Sequence, residues 1–440
     1  MGRVRIERRS RTAANTPLVT VLCAVSIAIL LVPVIAFGGN NAMLSTGAAT
    51  LQALMALVIV LCVRDTVPEF WVRVLPAAAF FAAMIVAGVL VIAARSGNPV
   101  PVGQALASIE LVKLAGCGGV FLTFAILGTE RGRLRLILAA LAIFGGCYAL
   151  VTLWFYQEDP THVFGVAKGL RFNRFTGTLL NANVAGCLFG VFALLTLGWL
   201  QGLVSQRRWA LVSIAAVSLM LCLGGMVQTQ SRAAFVLTFL LVGALLCLRF
   251  FRSRRGERIG RATIIAIGVI CLVIASVAAT QGLLSRFGLL GADWQTRMMS
   301  FRIYSALAEQ APLWGYGLGE FPRIHAMLLT PENATLLWNF NAAHSAPLQF
   351  LLEAGPVLSI LLCGALTYLA TFVMFSRARP ADMQFYAAIA SVVLVMGCSL
   401  VDIALNVPAV AALAAALGGL VFGASAAPYA LNSRSAGSGA

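Results

Sequence analysis

Residues 17–37 read PLVTVLCAVSIAILLVPVIAF, with no charged side chain anywhere in the run. A bilayer crossing needs about 20 consecutive apolar residues, so this stretch alone is long enough to span. Arg3, Arg5, Arg8, Arg9 and Arg11 precede it, an arrangement that superficially resembles a secretory leader. The apolar core of such a leader is only about 7–15 residues and closes on a small-x-small cleavage site. Here the run is longer and ends in Gly38-Gly39-Asn40-Asn41. The expectation is a first transmembrane helix with the arginine-rich N-terminus on the cytoplasmic side.

The same pattern repeats along the chain. Spans are expected at about 17–37, 43–63, 74–94, 106–127, 135–155, 182–204, 209–227, 232–250, 262–280, 346–375, 384–402 and 408–424, each end uncertain by about 2–4 residues. Between them the charge alternates. Arg64 and Arg73, Arg131, Arg133 and Arg135, Arg207 and Arg208, Arg249 through Arg261, and Arg377 and Arg379 all fall on the side of the N-terminal arginines in a twelve-helix arrangement. The connectors Gly38–Ala42 and Asp402–Val407 on the other side hold no basic residue. Eleven or thirteen spans would put a basic loop on the wrong face. The fold class is therefore an all-α polytopic membrane protein of about 12 transmembrane helices, with both termini cytoplasmic. Residues 1–440 form a single membrane domain. Residues 281–345 are a long external (periplasmic) loop between helices 9 and 10, and 425–440 a disordered cytoplasmic tail.

Composition agrees. The 440 residues are 60% hydrophobic and only 10% charged, with a mean hydropathy of +0.94; a soluble chain of this size needs far more charge to cover its surface. The net charge of +16 follows topology and is not gathered on one face or motif, so nucleic acid is not an expected partner. The ten cysteines, among them Cys23, Cys62, Cys117, Cys222, Cys271 and Cys398, lie in apolar segments and form no CxxC. They read as small buried apolar residues. There is no GxxxxGKS/T phosphate loop, no HExxH and no GxSxG, and no external Asp-x-Asp pair to hold a divalent metal. No cofactor or metal is expected.

Two external segments break the charge rule. The shorter, about Tyr156 to Leu180, holds Lys168, Arg171 and Arg174; the longer, about Gln281 to His344, holds Arg286, Arg297, Arg302, Arg323, His325 and His344. Topology gives no reason for these cations, and a loop that keeps them is suited to holding an anion. Glu158-Asp159, the adjacent external acid pair, reads better as a solvated turn before Pro160 than as a metal site. Glu110 and Lys113 share a face of the fourth helix and serve either as an ion relay or as a self-neutralising pair.

Three segments stand out: Arg174-Phe-Thr-Gly177-Thr-Leu-Leu-Asn181-Ala-Asn183; Gln230-Ser231-Arg232-Ala; and a long one running from Arg297 through Pro312-Leu-Trp-Gly315-Tyr-Gly317-Leu-Gly319-Glu-Phe321 and Ala343-His344-Ser345 to Glu353-Ala-Gly355. In order and placement they resemble the O-antigen ligase family of bacterial surface-glycan enzymes. That family shows R-x-x-G-T-x-x-N-x-N, S-R-G/A, an arginine ahead of P-L-x-G-x-G-x-G-x-F, H-N/S, E-x-G, and a closing D-x-x-x-x-x-P matched by Asp402 to Pro408. The resemblance covers Arg174 to Pro408. Two departures stand against it. Pro356 follows Gly355 where apolar residues are usual, so a kink is expected, and the tryptophan after the loop arginine is missing. Arg297 and Arg302 thus compete for the family arginine's place, with spacing favouring Arg297.

The resemblance implies a metal-independent glycosyltransferase at the periplasmic face of the inner membrane. Its donor would be an undecaprenyl pyrophosphate-linked glycan and its acceptor a hydroxyl of lipid A-core. A glycan polymerase acting on the same carrier is the alternative, and a transporter a more distant one. The residue types suit that chemistry. Guanidinium stays charged and offers planar bidentate donors to phosphate, and such stabilisation of a leaving group is worth about 3–4 kcal/mol per donor. Arg232 and Arg297 are the catalytic candidates, joined by His344 as either the base that takes the acceptor proton or a phosphate ligand. Arg174, Arg302, Asn183 and Glu353 are candidate substrate-binding residues. Glu353, inside a span, needs a partner: it could orient His344 or pair with an arginine. Gly315, Gly317 and Gly319 serve backbone conformation. His325 and His162, outside any motif, read as ordinary loop residues.

Overall fold

A computed structural model of the chain describes residues 17–63, 68–95, 101–168, 174–252, 268, 290–338 and 340–426. The helices are α1 (Pro17–Ile35), α2 (Ala42–Val63), α3 (Pro68–Arg95), α4 (Pro101–Gly128), α5 (Arg131–Glu158), α6 (Ala182–Ser205), α7 (Trp209–Gln228) and α8 (Arg232–Arg252), followed by α9 (Leu290–Glu309), α10 (Phe321–Leu328), α11 (Pro331–Leu337), α12 (Ala346–Phe375), α13 (Met383–Val401) and α14 (Pro408–Ala426). Eleven of them are long and apolar enough to cross a membrane, namely α1 to α8 and α12 to α14. Each coincides with a span expected from hydropathy. The remaining expected span, 262–280, apart from residue 268, and the tail beyond 426 lie outside the described residues. The protein is an all-α polytopic membrane protein.

Several helices outrun their apolar runs: α3 starts at Pro68, α4 at Pro101, and α5 covers 131–158. The hydrocarbon layer is about 30 Å thick but the headgroup zones add about 10–15 Å more. A helix can continue through those zones carrying polar residues that hydropathy does not count.

Burial sorts the helices into centre and rim. In α6, 89% of the membrane window is buried inside the protein and in α14 78%, against 11% in α12 and 17% in α3. Helix association in lipid depends on close packing, which small residues permit. The α14 face bearing Gly419 and Gly423 lies directly on α4, where any Cβ would meet Phe121 O or Ala125 O. On α6, Gly186, Gly190 and Gly198 receive Ser231 from the turn before α8, Thr238 from α8 and Ala387 from α13.

The two ends of the bundle differ. At one end Arg73 donates to Ala426 O, Arg135 pairs with Asp382 at the start of α13, and Arg252 stacks 4.4 Å over Tyr386. The other end carries α9 to α11 and a two-stranded hairpin, β1 (His162–Val163) and β2 (Val166–Ala167), turned by Phe164-Gly165 at positive φ. Arg252 and Arg297 lie at opposite ends of α13, as the twelve-helix arrangement requires.

The helix α12 is broken as its sequence foretells: Gly355, before Pro356, has φ 75° and ψ 172°. The break is a docking point. Tyr316 N and Gly317 N donate to the Leu352 and Glu353 carbonyls, and Gly315 N packs against Gly355 so closely that neither residue could carry a Cβ. Gly315, Gly317 and Gly319 all have positive φ, the backbone role expected of them.

Candidate active site at the helix ends

The centre of the loop-bearing end is Asp402, which ends α13 and is buried, its side chain 7% exposed. Its carboxylate accepts from Ile403 N at 2.8 Å and from Asn183 Nδ2 at 2.6 Å. Arg297 Nη2 stands 3.4 Å from Oδ2, while Arg297 Nη1 donates to Val401 O at 2.8 Å. His344 Nδ1 lies 3.4 Å from Oδ1. Burial pushes the Asp402 pKa up, but His344, Arg297 and the Ile403 N–H together hold it below the usual carboxylate value. An ionised acid here satisfies the rule that buried charge persists where it is paired and hydrogen-bonded.

Local sequence explains each approach. Asn181 caps α6, accepting from Asn183 N and Val184 N, which fixes Asn183 in the first turn. Asn183 Oδ1 then accepts from Arg174 Nη2 at 2.8 Å, and Arg174 Nε donates to Thr229 O at 2.9 Å. Thr229 sits in the turn between α7 and α8, so Arg174 ties the first motif to the turn from which the half-buried Arg232 opens α8. His344 has φ 52° and its ring packs edge-on to Phe340 at 4.8 Å. A left-handed residue without glycine costs roughly 1–2 kcal/mol, and Ser345 and Pro347 start α12 immediately after it.

The candidates thus divide. Arg174, Asn183, Arg297 and His344 form one connected cluster on Asp402, and Arg232 follows three residues after Thr229, whose carbonyl Arg174 holds. Arg302 is exposed on α9 and makes no contact with Asp402; five residues on from Arg297, it points to another side of the helix. Glu353 bonds neither His344 nor an arginine. It accepts from Gly319 N at 3.0 Å, Phe321 N at 3.2 Å and Gln349 Nε2 at 3.1 Å. Gln349 is the link back: its Oε1 accepts from Ala343 N, next to His344, and from Asn406 Nδ2, beyond Asp402.

From sequence, Asp402 was quoted only in the closing D-x-x-x-x-x-P match and given no role, and Gln349 was not singled out. Asp402 was detectable, since an acid closing an apolar run needs a partner; Gln349 left no signal. Outside the cluster, His325 is buried and uses both ring nitrogens, on Tyr304 OH at 2.8 Å and Leu337 O at 3.1 Å. It is a packing residue of the cap formed by α9 to α11, not an ordinary loop position. Glu110 and Lys113 pair with each other at 2.6 Å beneath Gly319. Asp159 caps its turn through Thr161, whose hydroxyl and N–H hold it down at about 2. Among the described residues no group of three or more His, Cys, Asp or Glu is placed to hold a metal ion.

Residues 217–363 match the O-antigen ligase family model. The match spans about a third of the chain and includes Arg232, Arg297, His344 and Glu353. Arg174, Asn183 and Asp402 lie outside the matched stretch, and the hydrogen bonds above bring them to its residues. No curated protein matches the chain. The eleven apolar helices make the chain a multi-pass membrane protein, and its residues 217–363 are similar to the O-antigen ligase family.

Proposed function

We propose that the protein transfers a glycan from undecaprenyl pyrophosphate to an acceptor hydroxyl at the periplasmic face of the bacterial inner membrane. Lipid A-core is the proposed acceptor, as for an O-antigen ligase. The observation that carries the reading is the convergence of His344, Arg297 and the Asn183–Arg174 pair on one ionised carboxylate at the membrane boundary.

In the proposed reaction the acceptor oxygen forms a bond to the anomeric carbon of the donor. The bond from that carbon to the pyrophosphate oxygen breaks, and its electron pair leaves with the carrier. Asp402 faces His344 Nδ1. With a proton on Nδ1 directed at the carboxylate, Nε2 keeps its lone pair and takes the acceptor's proton. Arg232 and Arg297 stabilise the pyrophosphate as charge builds on it. Arg174 and Asn183 hold the turn ahead of Arg232 in place. Glu353 shapes the loop that leads from α9 to α12, and Arg302 lies on the outer side of that loop, where it meets donor or acceptor groups. Joining one carrier-linked repeat to another uses the same steps, so a polymerase is the second reading, separated by acceptor alone.

Purified protein, a polyprenyl pyrophosphate-linked glycan and lipid A-core form the test. His344→Ala should abolish transfer while the protein still accumulates. If guanidinium binds as a planar fork, Arg297→Lys should lose most activity and Arg297→Ala little more. The proposed chemistry needs no metal, so EDTA should leave it intact; loss restored by magnesium or manganese would overturn it. Transfer to a carrier-linked glycan in place of lipid A-core would select the polymerase reading.

A further inference from the structure

At the end of the bundle away from Asp402, the last residue of α8, the end of α12 and the first turn of α13 border an open cleft. Its walls are Arg252, Met374, Phe375, Ser376, Arg377, Arg379 and Tyr386, and its volume is about 520 Å³. The helix α13 has 19 residues, and at about 1.5 Å each its two ends are about 28 Å apart. The cleft and Asp402 are therefore at opposite faces of a bilayer.

The lining carries three guanidiniums and no carboxylate. The nearby acid, Asp382, is already used: it pairs with Arg135 and caps α13 through Gln384 N. Arg252 is held over the Tyr386 ring and Arg379 Nε donates to Ser376 O, so two of the three cations are positioned by the fold. Arg377 is exposed. Beside these cations stands bare apolar surface at the same depth. Met374 is 59%, Phe375 77% and Phe251 81% exposed. A soluble anion would gain nothing from that surface, whereas a phospholipid offers phosphate to the arginines and acyl chain to the phenylalanines.

We propose that this cleft is a binding site for the headgroup phosphate of an anionic phospholipid in the leaflet opposite the Asp402 cluster. The proposal is independent of the reaction assigned above. It makes the protein's stability and orientation sensitive to the lipid composition of that leaflet.

The test is lipid retention by the full-length protein in neutral detergent, read by native mass spectrometry, with phosphatidylglycerol, phosphatidylcholine and inorganic phosphate as the three probes. Phosphatidylglycerol should be retained in preference to phosphatidylcholine, and inorganic phosphate should neither bind nor compete at matched concentration. Arg252→Gln/Arg377→Gln/Arg379→Gln should weaken phosphatidylglycerol retention about a hundredfold, at about fivefold per arginine. Arg377→Glu alone, at an exposed position past the end of α12, should weaken it about fivefold or more and decides the matter if the triple variant does not accumulate. Arg131→Gln, exposed on the same face but outside the cleft, should leave retention unchanged. Equal retention of the two lipids, wild-type retention by Arg377→Glu, or an equal effect of Arg131→Gln would overturn the site. Competition by inorganic phosphate would replace it with a soluble-anion site.

Discussion

Asp402 binds its neighbours through charge and through shape, and the two can be separated. Asp402→Asn keeps the volume and one acceptor oxygen but removes the charge that His344 and Arg297 face. Transfer should fall about a hundredfold, the upper cost of losing a partner that orients a reacting group, while the amount of protein in the membrane stays near wild type. Asp402→Glu should not rescue, because a longer side chain cannot keep both Asn183 Nδ2 and Ile403 N in place. A variant that transfers normally would remove Asp402 from the mechanism. The folded-state pKa of Asp402 is depressed, so its contribution to stability is present above the ordinary aspartate value near 3.9. It is lost as pH falls through the lower, folded-state value.

The elements of the cap, α9 to α11, depend on two contacts that hydropathy does not reveal. One is His325, whose pKa is lowered by burial, against the opposing pull of the Leu337 carbonyl. A histidine whose folded pKa lies below its unfolded value near 6.5 stabilises the cap above that value, and the contribution fades as pH falls through the folded pKa. Protection from hydrogen exchange across 321–337, measured relative to the intrinsic exchange rate at each pH, should therefore fall in mild acid, and His325→Phe should remove that loss; unchanged protection from pH 7 to 5 would contradict the reading. The other contact is the glycine pair at the break in α12. Gly315→Ala puts a methyl group into the Glu353 carbonyl at a positive φ, and should cost about 2 kcal/mol or more, read as a lower melting temperature with early loss of α9 and α10.

At the scale of the whole molecule, the face carrying Asp402 is proposed to be periplasmic. Ala326→Cys, exposed on α10, should react with an impermeant thiol reagent on intact cells stripped of their outer membrane, and Ser205→Cys, exposed at the other end of α6, should not. The reverse labelling would invert the topology. The spans were legible in the sequence because lipid demands apolar runs of one length, and that constraint acts residue by residue. Helix ends were less so, since the headgroup zone tolerates either kind of residue. The cluster was legible in part. Arg297, His344, Arg174 and Asn183 came from motif order, and the structure brings all four together. Asp402 was quoted only as the first residue of the closing D-x-x-x-x-x-P stretch, and Glu353 had partners that are backbone N–H groups 32 and 34 residues away, a pairing no local pattern encodes.

The direction in which the helices run has a consequence of its own. The chain enters α6, α8, α12 and α14 at the Asp402 face, so their N-terminal ends lie on that side of the bundle. Each peptide dipole sums to roughly half a positive charge at such an end, and at the edge of hydrocarbon little water screens it. Of the helices that arrive there by their C-termini, α13 has its terminal Val401 carbonyl covered by Arg297, and the Thr229 carbonyl just past the end of α7 is covered by Arg174. Removing arginines one at a time should therefore leave a residual attraction for phosphate that no single side chain accounts for, because part of the field belongs to the backbone.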